Sequence, residues 1–158
     1  MYDLQSMTPV CYTVTGANRH DNTQTIRLVK RLGARLLKVN TILADKAYDT
    51  RENIEKHLTV GVLFIAARNK RNTKKPVNKY RIQDHLELGD EELDHIYKNR
   101  MDCEHANFLL KEHLGLTNLK TTGREKVRVK VGITLIARQI QVLRQLINQK
   151  NPRTTITN

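Results

Sequence analysis

Residues 97–111 read YKNRMDCEHANFLLK, with a Tyr, an Arg, a Glu and a Lys at intervals that suit one face of a helix. These residues are Tyr97, Arg100, Glu104 and Lys111. An α-helix advances about 100° per residue, so one helix would place all four within about 60° of each other. The spacing predicts a single helix with a narrow polar stripe that carries a carboxylate, two cations and a phenol.

An apolar stripe is expected beside the polar one, because Ile96, Cys103, Leu110 and Leu114 share the neighbouring face of the same helix. Such a stripe would dock the helix on a hydrophobic core. The alternative is a solvated face whose charges only pair locally. Phe108 also falls on the polar stripe and mildly favours that alternative.

A second acidic element lies upstream, where residues 42–49 read ILADKAYD. The apolar run ends at a carboxylate, which is typical of a buried strand that delivers Asp45 at its C-terminal edge. Ligand-binding and catalytic groups favour this edge in α/β sheets. This second acidic element therefore supports the interpretation of residues 97–111 as part of a functional site.

Together these elements resemble the DDE transposases of bacterial and archaeal insertion sequences, in particular the group with a Tyr-Arg-Glu-Lys signature around its catalytic Glu. The four stripe residues match that signature at every spacing. Residues 44–49 are similar to the family's second-Asp block, and residues 15–21, TGANRHD, are similar to its Thr-x-x-Asn-x-His-Asp stretch. The resemblance covers roughly residues 1–147.

The resemblance implies an RNase H-like α/β fold with a mixed sheet flanked by helices, and an enzyme that cleaves DNA and transfers strands. It implies that Asp45 and Glu104 are catalytic and hold Mg²⁺ or Mn²⁺, hard cations that prefer oxygen ligands. Tyr97, Arg100 and Lys111 would position or neutralise the DNA phosphates near the cut. Two such ions about 4 Å apart can stabilise both the attacking and the leaving oxygen.

One part of the family pattern is missing from the sequence. The first catalytic Asp, usually followed by Gly on the first strand, has no equivalent, since Asp3 is the only acidic residue before Asp21. We interpret Asp3 as a turn residue between two strands. The chain is expected to be the C-terminal part of a transposase or a truncated copy, to lack the first strand or strands, and to be inactive alone.

The charge balance agrees with a nucleic-acid partner. The chain has 158 residues, with 28 Lys and Arg against 16 Asp and Glu, a formal charge of +12 and a pI near 10.0. Such a balance favours a polyanion. No apolar stretch approaches about 18 residues, so a membrane is not expected. DNA, in particular transposon ends, is the expected partner, with a homodimer on DNA and a location at the nucleoid in a prokaryotic cytoplasm.

Cysteine and histidine give weaker signals. Cys11 and Cys103 lack the spacing of a zinc knuckle and are interpreted as buried free thiols. His20 and His105 each lie beside a carboxylate and could approach a site. A lone His is more often structural, so neither is assigned a role.

The order of elements is that of an α/β domain. Strands are predicted at 10–15, 39–44 and 60–67, alternating with helices at 21–33 and 49–58. This order indicates parallel pairing through right-handed crossovers. Asp21 and Asp49 are predicted to cap the two helices. One domain is expected over residues 1–150, followed by a disordered tail at 151–158.

Residues 68–81 are rich in cations and contain no acid. This segment is predicted to be a loop that contacts the DNA backbone without sequence preference. A solvated linker is the alternative. The residues assigned to DNA binding are Arg68, Lys70, Arg71, Lys74 and Lys75.

Two further helices complete the prediction. The acids after Gly89 indicate the start of the signature helix, and a long final helix ends before Asn151 and Pro152. The final helix is predicted to have a broad apolar face, formed by Val127, Val131, Leu135, Ile136, Leu143, Leu146 and Ile147. Two other functions remain open: a non-catalytic nucleic-acid-binding remnant, and a metal-dependent nuclease of the same fold that serves repair.

Overall fold

The computed structural model describes residues 1–16, 21–34, 38–69, 76–117 and 120–148. Two compact units divide the chain: Met1–Arg19 with Met101–Asn158, and His20–Arg100. Both units contain strands and helices, in agreement with the α/β class. The end of the predicted domain at residue 150 and the predicted tail lie outside the described residues.

The described elements follow one another in this order. The strands are β1 (Tyr2–Asp3), β2 (Thr8–Pro9), β3 (Thr41–Ala44) and β4 (Leu63–Ala66). The α-helices are α1 (Thr25–Gly33), α2 (Arg51–Leu58), α3 (Asp90–Lys98), α4 (Arg100–Phe108) and α5 (Arg124–Ile147). Short 3₁₀ helices span Asp21–Gln24, Lys46–Tyr48 and Arg81–Asp84, and a π-helical segment spans Leu109–His113.

The centre of the His20–Arg100 unit is the β3–α2–β4 crossover. β3 and β4 are parallel, with Thr41 opposite Leu63 and Ala44 opposite Ala66. Parallel neighbours need a long connection, which α2 provides. The predicted strand, helix and strand are therefore confirmed here, with slightly shorter strands.

The two ends of α2 are fixed by local hydrogen bonds. Thr50 is the N-cap, and its side chain accepts from the Asn53 N–H at 3.1 Å. The predicted cap at Asp49 is wrong, because that carboxylate is used elsewhere in the unit. After α2 the chain turns through Gly61 at φ +71°, a conformation that glycine adopts without strain.

The hydrophobic core of this unit lies against β3 and β4. The fully or nearly fully buried members are Ala44, Ile54, Phe64, Ile65, Ala66, Tyr80, Ile82 and Leu93. Ile96 and Tyr97 pack on this core from α3. The predicted docking of the signature segment through Ile96 is therefore confirmed.

The beginning of α1 differs from the prediction. Asp21 opens a 3₁₀ helix that runs to Gln24, and Gln24, without a side-chain cap hydrogen bond, precedes α1. The predicted helix cap at Asp21 is therefore wrong. α1 ends at Gly33, as predicted.

The unit formed by residues 1–19 and 101–158 contains an antiparallel hairpin. Tyr2 pairs with Pro9 and Asp3 with Thr8. The Asp3 carboxylate accepts from the Ser6 N–H at 2.8 Å and from the Ser6 hydroxyl at 2.5 Å. The interpretation of Asp3 as a turn residue is confirmed, although it also ends β1.

The predicted strand at residues 10–15 is wrong, since β2 ends at Pro9 and no strand is assigned to residues 10–16. β-branched residues favour a strand only where a partner strand lies alongside. Here the pairing stops after the Val10 N–H donates to the Met1 carbonyl at 3.0 Å. Within the described residues, the strands form two separate two-stranded sheets and not one mixed sheet.

α5 is the predicted long final helix, and most residues of its predicted apolar face are exposed. Its buried residues are Thr134, Leu135, Arg138, Val142 and Gln145. Of the seven apolar residues assigned to the face, only Leu135 is buried, and Ile136, Leu143, Leu146 and Ile147 are more than half exposed. No helix among the described residues is long and apolar enough to cross a membrane.

Cys11 is buried, as predicted, whereas Cys103 is only half-buried, so the predicted burial is wrong for Cys103.

Candidate active site

The end of β3 presents a carboxylate. Asp45 follows Ala44 directly, and its side chain is 61% exposed. Its Oδ1 atom accepts from the Lys46 N–H at 2.6 Å, which caps the 3₁₀ helix that follows. Asp45 thus stands at the C-terminal edge of a strand, as predicted from the apolar run before it.

Two residues of the signature meet Asp45 at this edge. The Tyr97 hydroxyl donates to the Ala44 carbonyl at 3.0 Å, which ties α3 to the last residue of β3. Arg100 Nη1 lies 3.9 Å from Asp45 Oδ1, and the guanidinium lies 5.7 Å from the centre of the Tyr97 ring. The structure therefore brings together Asp45, Tyr97 and Arg100.

A hydrogen-bonded network supports Tyr97 from behind. Tyr97 contacts the ring of Tyr80 edge-on at 5.4 Å, and the Tyr80 hydroxyl donates to Asp94 at 2.7 Å. Lys79 donates to the other oxygen of Asp94 at 2.6 Å. Burial and the bond to Asp94 raise the pKa of Tyr80, while the bonds from Lys79 and Tyr80 lower the pKa of Asp94. These contacts hold the rings of Tyr80 and Tyr97 in place.

The signature segment is not a single α-helix, so that prediction is wrong. α3 ends at Lys98 and α4 begins at Arg100. The break lies at Asn99, whose backbone N–H and side-chain amide both donate to the Ile96 carbonyl, at 3.2 and 3.0 Å. In an uninterrupted helix that carbonyl would accept from the N–H of Arg100.

The remaining signature residues belong to the other unit. Glu104 lies on α4 and is exposed, and Lys111 lies in the π-helical segment and is also exposed. In this segment the Leu114 N–H donates to the Leu109 carbonyl, five residues back. Leu110 is buried, as predicted for the apolar stripe, whereas Phe108 is 51% exposed.

The basic residues near β4 have different surroundings. Arg68 is only 10% exposed in its side chain and forms an ion pair with Asp84. A cleft of about 810 Å³ beside it is lined by Lys46, Ala67, Arg68, Val77, Asn78, Lys79, Gln83 and Asp90. The other predicted DNA contacts, Lys70, Arg71, Lys74 and Lys75, lie outside the described residues, as does His20. Lys79 belongs to the predicted basic segment, whereas Lys46 lies outside it.

Asp49 has a supporting role that the sequence analysis missed. Its buried carboxylate accepts from Arg81 Nε at 2.8 Å, from Arg81 Nη2 at 3.1 Å and from the Asn69 N–H at 2.9 Å. The segments that leave β3 and β4 are thereby joined. Arg81 lies 32 residues from Asp49, so no local pattern indicates the pair.

The donor chemistry of the site suits a hard cation only in part. Asp45 is an exposed carboxylate of the right type for Mg²⁺ or Mn²⁺. Across the described ranges, no group of three or more His, Cys, Asp or Glu side chains is arranged to hold a metal ion. His105, beside Glu104, is exposed. The assignment of a metal to Asp45 and Glu104 stays a prediction.

Comparison with known proteins gives the family of the chain. A family model described as Transposase DDE domain matches residues 1–140. Two curated relatives, each named a probable transposase for insertion sequence element ISH11, come from strains R1 and NRC-1 of Halobacterium salinarum. Each is 29% identical over 141 residues, which cover 84% of this chain and 42% of the relative.

The chain thus spans about two-fifths of the length of the curated relatives it matches. No solved structure matches it. The family model covers most of the chain, including β3 with Asp45 and the whole signature segment. The protein belongs to the transposase DDE domain family.

Proposed function

We propose that this chain forms part of an RNase H-like catalytic domain that cleaves DNA and transfers strands during transposition. The observation that carries the proposal is the meeting of Asp45, Tyr97 and Arg100 at the C-terminal end of β3. A catalytic carboxylate at such an edge, beside a cation and a phenol, suits phosphoryl chemistry on a polyanion. The proposed partner is DNA at transposon ends, and the proposed location is the nucleoid of a prokaryotic cytoplasm.

Asp45 and Glu104 are the proposed ligands of Mg²⁺ or Mn²⁺, which when bound would stabilise the attacking and leaving oxygens. Both carboxylates are exposed, so neither has to be uncovered before it can act. Lys111, also exposed, is proposed to neutralise phosphate charge. These roles follow the family signature and the exposure of the side chains.

Arg100 is proposed to bind a DNA phosphate next to Asp45. Its Nη1 atom lies 3.9 Å from Asp45 Oδ1, so a phosphate bound by the guanidinium would lie beside this carboxylate. Arg is well suited to this role, because its planar fork binds phosphate oxygens in pairs. Tyr97 supports the arrangement through its bond to the Ala44 carbonyl.

The family's first catalytic Asp is proposed to come from a segment that the matched residues do not contain. The curated relatives are more than twice as long as the region they share with this chain. Carboxylates in such a set act as a unit, so removing one typically removes most of the activity. The chain alone is therefore expected to be inactive on DNA.

A cleavage assay tests this function. The chain would be fused in frame behind the N-terminal portion of the ISH11 relative and incubated with Mn²⁺ and DNA that carries element ends. We expect nicking by the fusion and none by the chain alone. Asp45→Asn and Glu104→Gln should each abolish nicking, whereas Glu112→Gln, a carboxylate change in the neighbouring π-helical segment, should leave it intact. Activity that survives both substitutions would disprove the site.

A non-catalytic DNA-binding remnant is the second candidate, favoured by the charge of +12 and by the lack of a three-residue metal group in the described part of the chain. It predicts DNA binding by the fusion without any nicking. A repair nuclease of the same fold predicts nicking without strand transfer. The same assay therefore separates the three functions.

A further inference from the structure

The turn that follows β3 carries the exposed carboxylate of Asp45 and runs to the start of α2. It contains the 3₁₀ helix Lys46–Tyr48, and Thr50 is the N-cap of α2. The Asp45 side chain is 61% exposed, so little protein packs around it. The position of this carboxylate is therefore determined mainly by the backbone of the turn.

Two backbone hydrogen bonds close the turn from within. The Tyr48 N–H donates to the Asp45 carbonyl at 2.8 Å, which completes the 3₁₀ helix. The Thr50 N–H donates to the Tyr48 carbonyl at 2.9 Å, and between them Asp49 has a φ of −70° and a ψ of 85°, close to an inverse γ-turn. The Tyr48 carbonyl is thus the point at which the turn passes into α2.

A side chain from α2 binds the same carbonyl. Asn53 Nδ2 donates to the Tyr48 carbonyl oxygen at 3.0 Å. The partner fixes the orientation of the amide, because a carbonyl can only accept and must face the nitrogen. A backbone carbonyl has two lone pairs, so it accepts from Asn53 and from the Thr50 N–H at the same time. Asn53 therefore ties the end of the turn to the body of α2.

Asn53 is itself buried and held on several sides. It is only 7% exposed. Its Oδ1 atom accepts from the Thr25 hydroxyl, at the start of α1, at 3.3 Å, and its own N–H donates to the Thr50 hydroxyl at 3.1 Å. Its carbonyl lies 2.6 Å from Nδ1 of the buried His57. A buried side chain in such a hydrogen-bonded network is a rigid support for the turn.

The Asp49–Arg81 pair also fixes this part of the chain, but in a different way. It binds the turn through a side chain, and the Asp49 carboxylate also accepts from the N–H of Asn69 after β4, so the pair serves the unit as a whole. Asn53 instead binds the backbone of the 3₁₀ helix, three residues after Asp45. Its bond to Tyr48 is therefore the more specific restraint on the position of Asp45.

We propose that Asn53 is a positioning residue for Asp45 that acts through the Tyr48 carbonyl and the turn after β3. The inference rests on the proposed catalytic role of Asp45. Cleavage needs reacting groups held in a fixed geometry, and a displacement of about 1 Å can lower the rate on the order of 100-fold. Because Asn53 is buried, the affinity for DNA should not depend on it.

Amide hydrogen exchange of the full chain, followed by NMR, tests this restraint without any measurement of activity. In Asn53→Asp a carboxylate replaces the amide donor and cannot bind the Tyr48 carbonyl. We expect the Tyr48 N–H to exchange at least about fivefold faster than in the parent, the effect of one lost hydrogen bond. The amides of β4 report global unfolding and provide the reference. Asn53→Ala replaces Asn53→Asp if that variant fails to fold.

Thr50→Val is the matched control. It removes the hydroxyl that caps α2 and accepts from the Asn53 N–H, so it destabilises the same helix. It leaves the Asn53 amide and the Tyr48 carbonyl intact. The Tyr48 N–H should therefore exchange at the parent rate in Thr50→Val, once the change at β4 is taken into account.

Nicking by the fusion with the ISH11 relative gives the second readout. Asn53→Asp should lower the nicking rate at saturating DNA at least about tenfold, because Asp45 is displaced. DNA affinity, measured by fluorescence anisotropy, should stay at the parent value. Thr50→Val should nick at the parent rate, whereas a merely structural role of Asn53 predicts that both variants lose activity in proportion to their loss of stability.

The outcomes separate this inference from the proposed function. Equal Tyr48 exchange in Asn53→Asp and Thr50→Val would overturn the inference, as would a nicking rate that Asn53→Asp leaves unchanged. A parent fusion that does not nick would instead overturn the proposed function. Faster Tyr48 exchange in Asn53→Asp would in that case still support the restraint of the turn by Asn53.

Discussion

The Arg81 guanidinium binds the buried Asp49 carboxylate through two hydrogen bonds, 2.8 Å from Nε and 3.1 Å from Nη2. The Asp49 side chain is fully buried and that of Arg81 is 26% exposed. Breaking a buried pair by removing one partner leaves an uncompensated charge. This contact is therefore more important for folding than an ion pair on the surface.

Arg81→Met should lower the free energy of unfolding by about 3 kcal/mol, the lower end for a broken buried pair. Urea unfolding followed by circular dichroism measures the change. Arg51→Met removes the pair with Glu55 on the exposed side of α2 and should change stability little. If both substitutions lower the free energy of unfolding equally, the Asp49–Arg81 pair stabilises the fold no more than a surface ion pair does.

His57 predicts a pH dependence of stability. The ring is fully buried against Phe64, and Nδ1–H donates to the Asn53 carbonyl at 2.6 Å. Burial lowers the pKa of His57 below its ordinary value of 6.5, so the unfolded chain takes up the proton more readily. His57 should therefore reduce stability as the pH falls through about 6.5.

His57→Leu should remove this component. Urea unfolding of both proteins from pH 7.5 to 5 gives the comparison, in which other titrating groups cancel. We expect stability to fall more steeply for the parent, by up to about 1.4 kcal/mol per pH unit. Parallel curves would mean that His57 has the same pKa in the folded and unfolded chains.

Tyr97→Phe tests whether the Tyr97 hydroxyl holds α3 against β3 or contacts DNA directly. It removes the hydrogen bond to the carbonyl of Ala44, a buried residue, and should lower the free energy of unfolding by about 1 kcal/mol. Tyr2→Phe removes an exposed bond to Asn107 and should have a smaller effect. If Tyr97→Phe weakens DNA binding as strongly as Arg100→Ala without loss of stability, the phenol acts on DNA directly.

The basic segment after β4 predicts a salt dependence of DNA binding. Each phosphate contact adds about −0.9 to the slope of log K against log salt. Replacing Lys70, Arg71, Lys74 and Lys75 with Ala should flatten this slope by up to about 3.6 units. Arg68 is left in place, because Asp84 already holds it.

The matched control removes the same charge from α1 and the segment after it, by Ala substitution of Arg27, Lys30, Arg31 and Lys38, which are exposed. Fluorescence anisotropy with a labelled duplex at several salt concentrations measures both slopes. If both sets of substitutions flatten the slope equally, only net charge determines the salt dependence. If substitution in the basic segment leaves the slope unchanged, this segment is a solvated linker.

The β3–α2–β4 unit and the place of Asp45 could be predicted because their signals are local. An apolar run that ends at a carboxylate predicts β3 and the position of Asp45, and a helical pattern between two apolar runs predicts the crossover. The break at Asn99 could not be predicted, because it depends on a side-chain amide that takes the carbonyl of Ile96. The π-helical segment likewise departs from the 100° period on which the single-helix prediction rests.

The buried side of α5 could not be predicted for a different reason. A hydrophobic stripe indicates which side of a helix needs a partner, but not whether that partner belongs to the same chain. Here the unit uses Thr134, Arg138 and Gln145 on the inner side, and these polar residues give no periodic signal.

The left-handed turn at Gly61 has a consequence for the kinetics of folding. β3 and β4 pair residues only 22 positions apart, such as Thr41 with Leu63, so closing this loop costs little entropy. Because α2 is fixed at both ends by its own turns, we expect this crossover to be already formed in the transition state of folding. Gly61→Ala strains φ without any clash and should slow refolding while leaving the unfolding rate nearly constant. Stopped-flow measurements that find only faster unfolding would place the crossover late in folding.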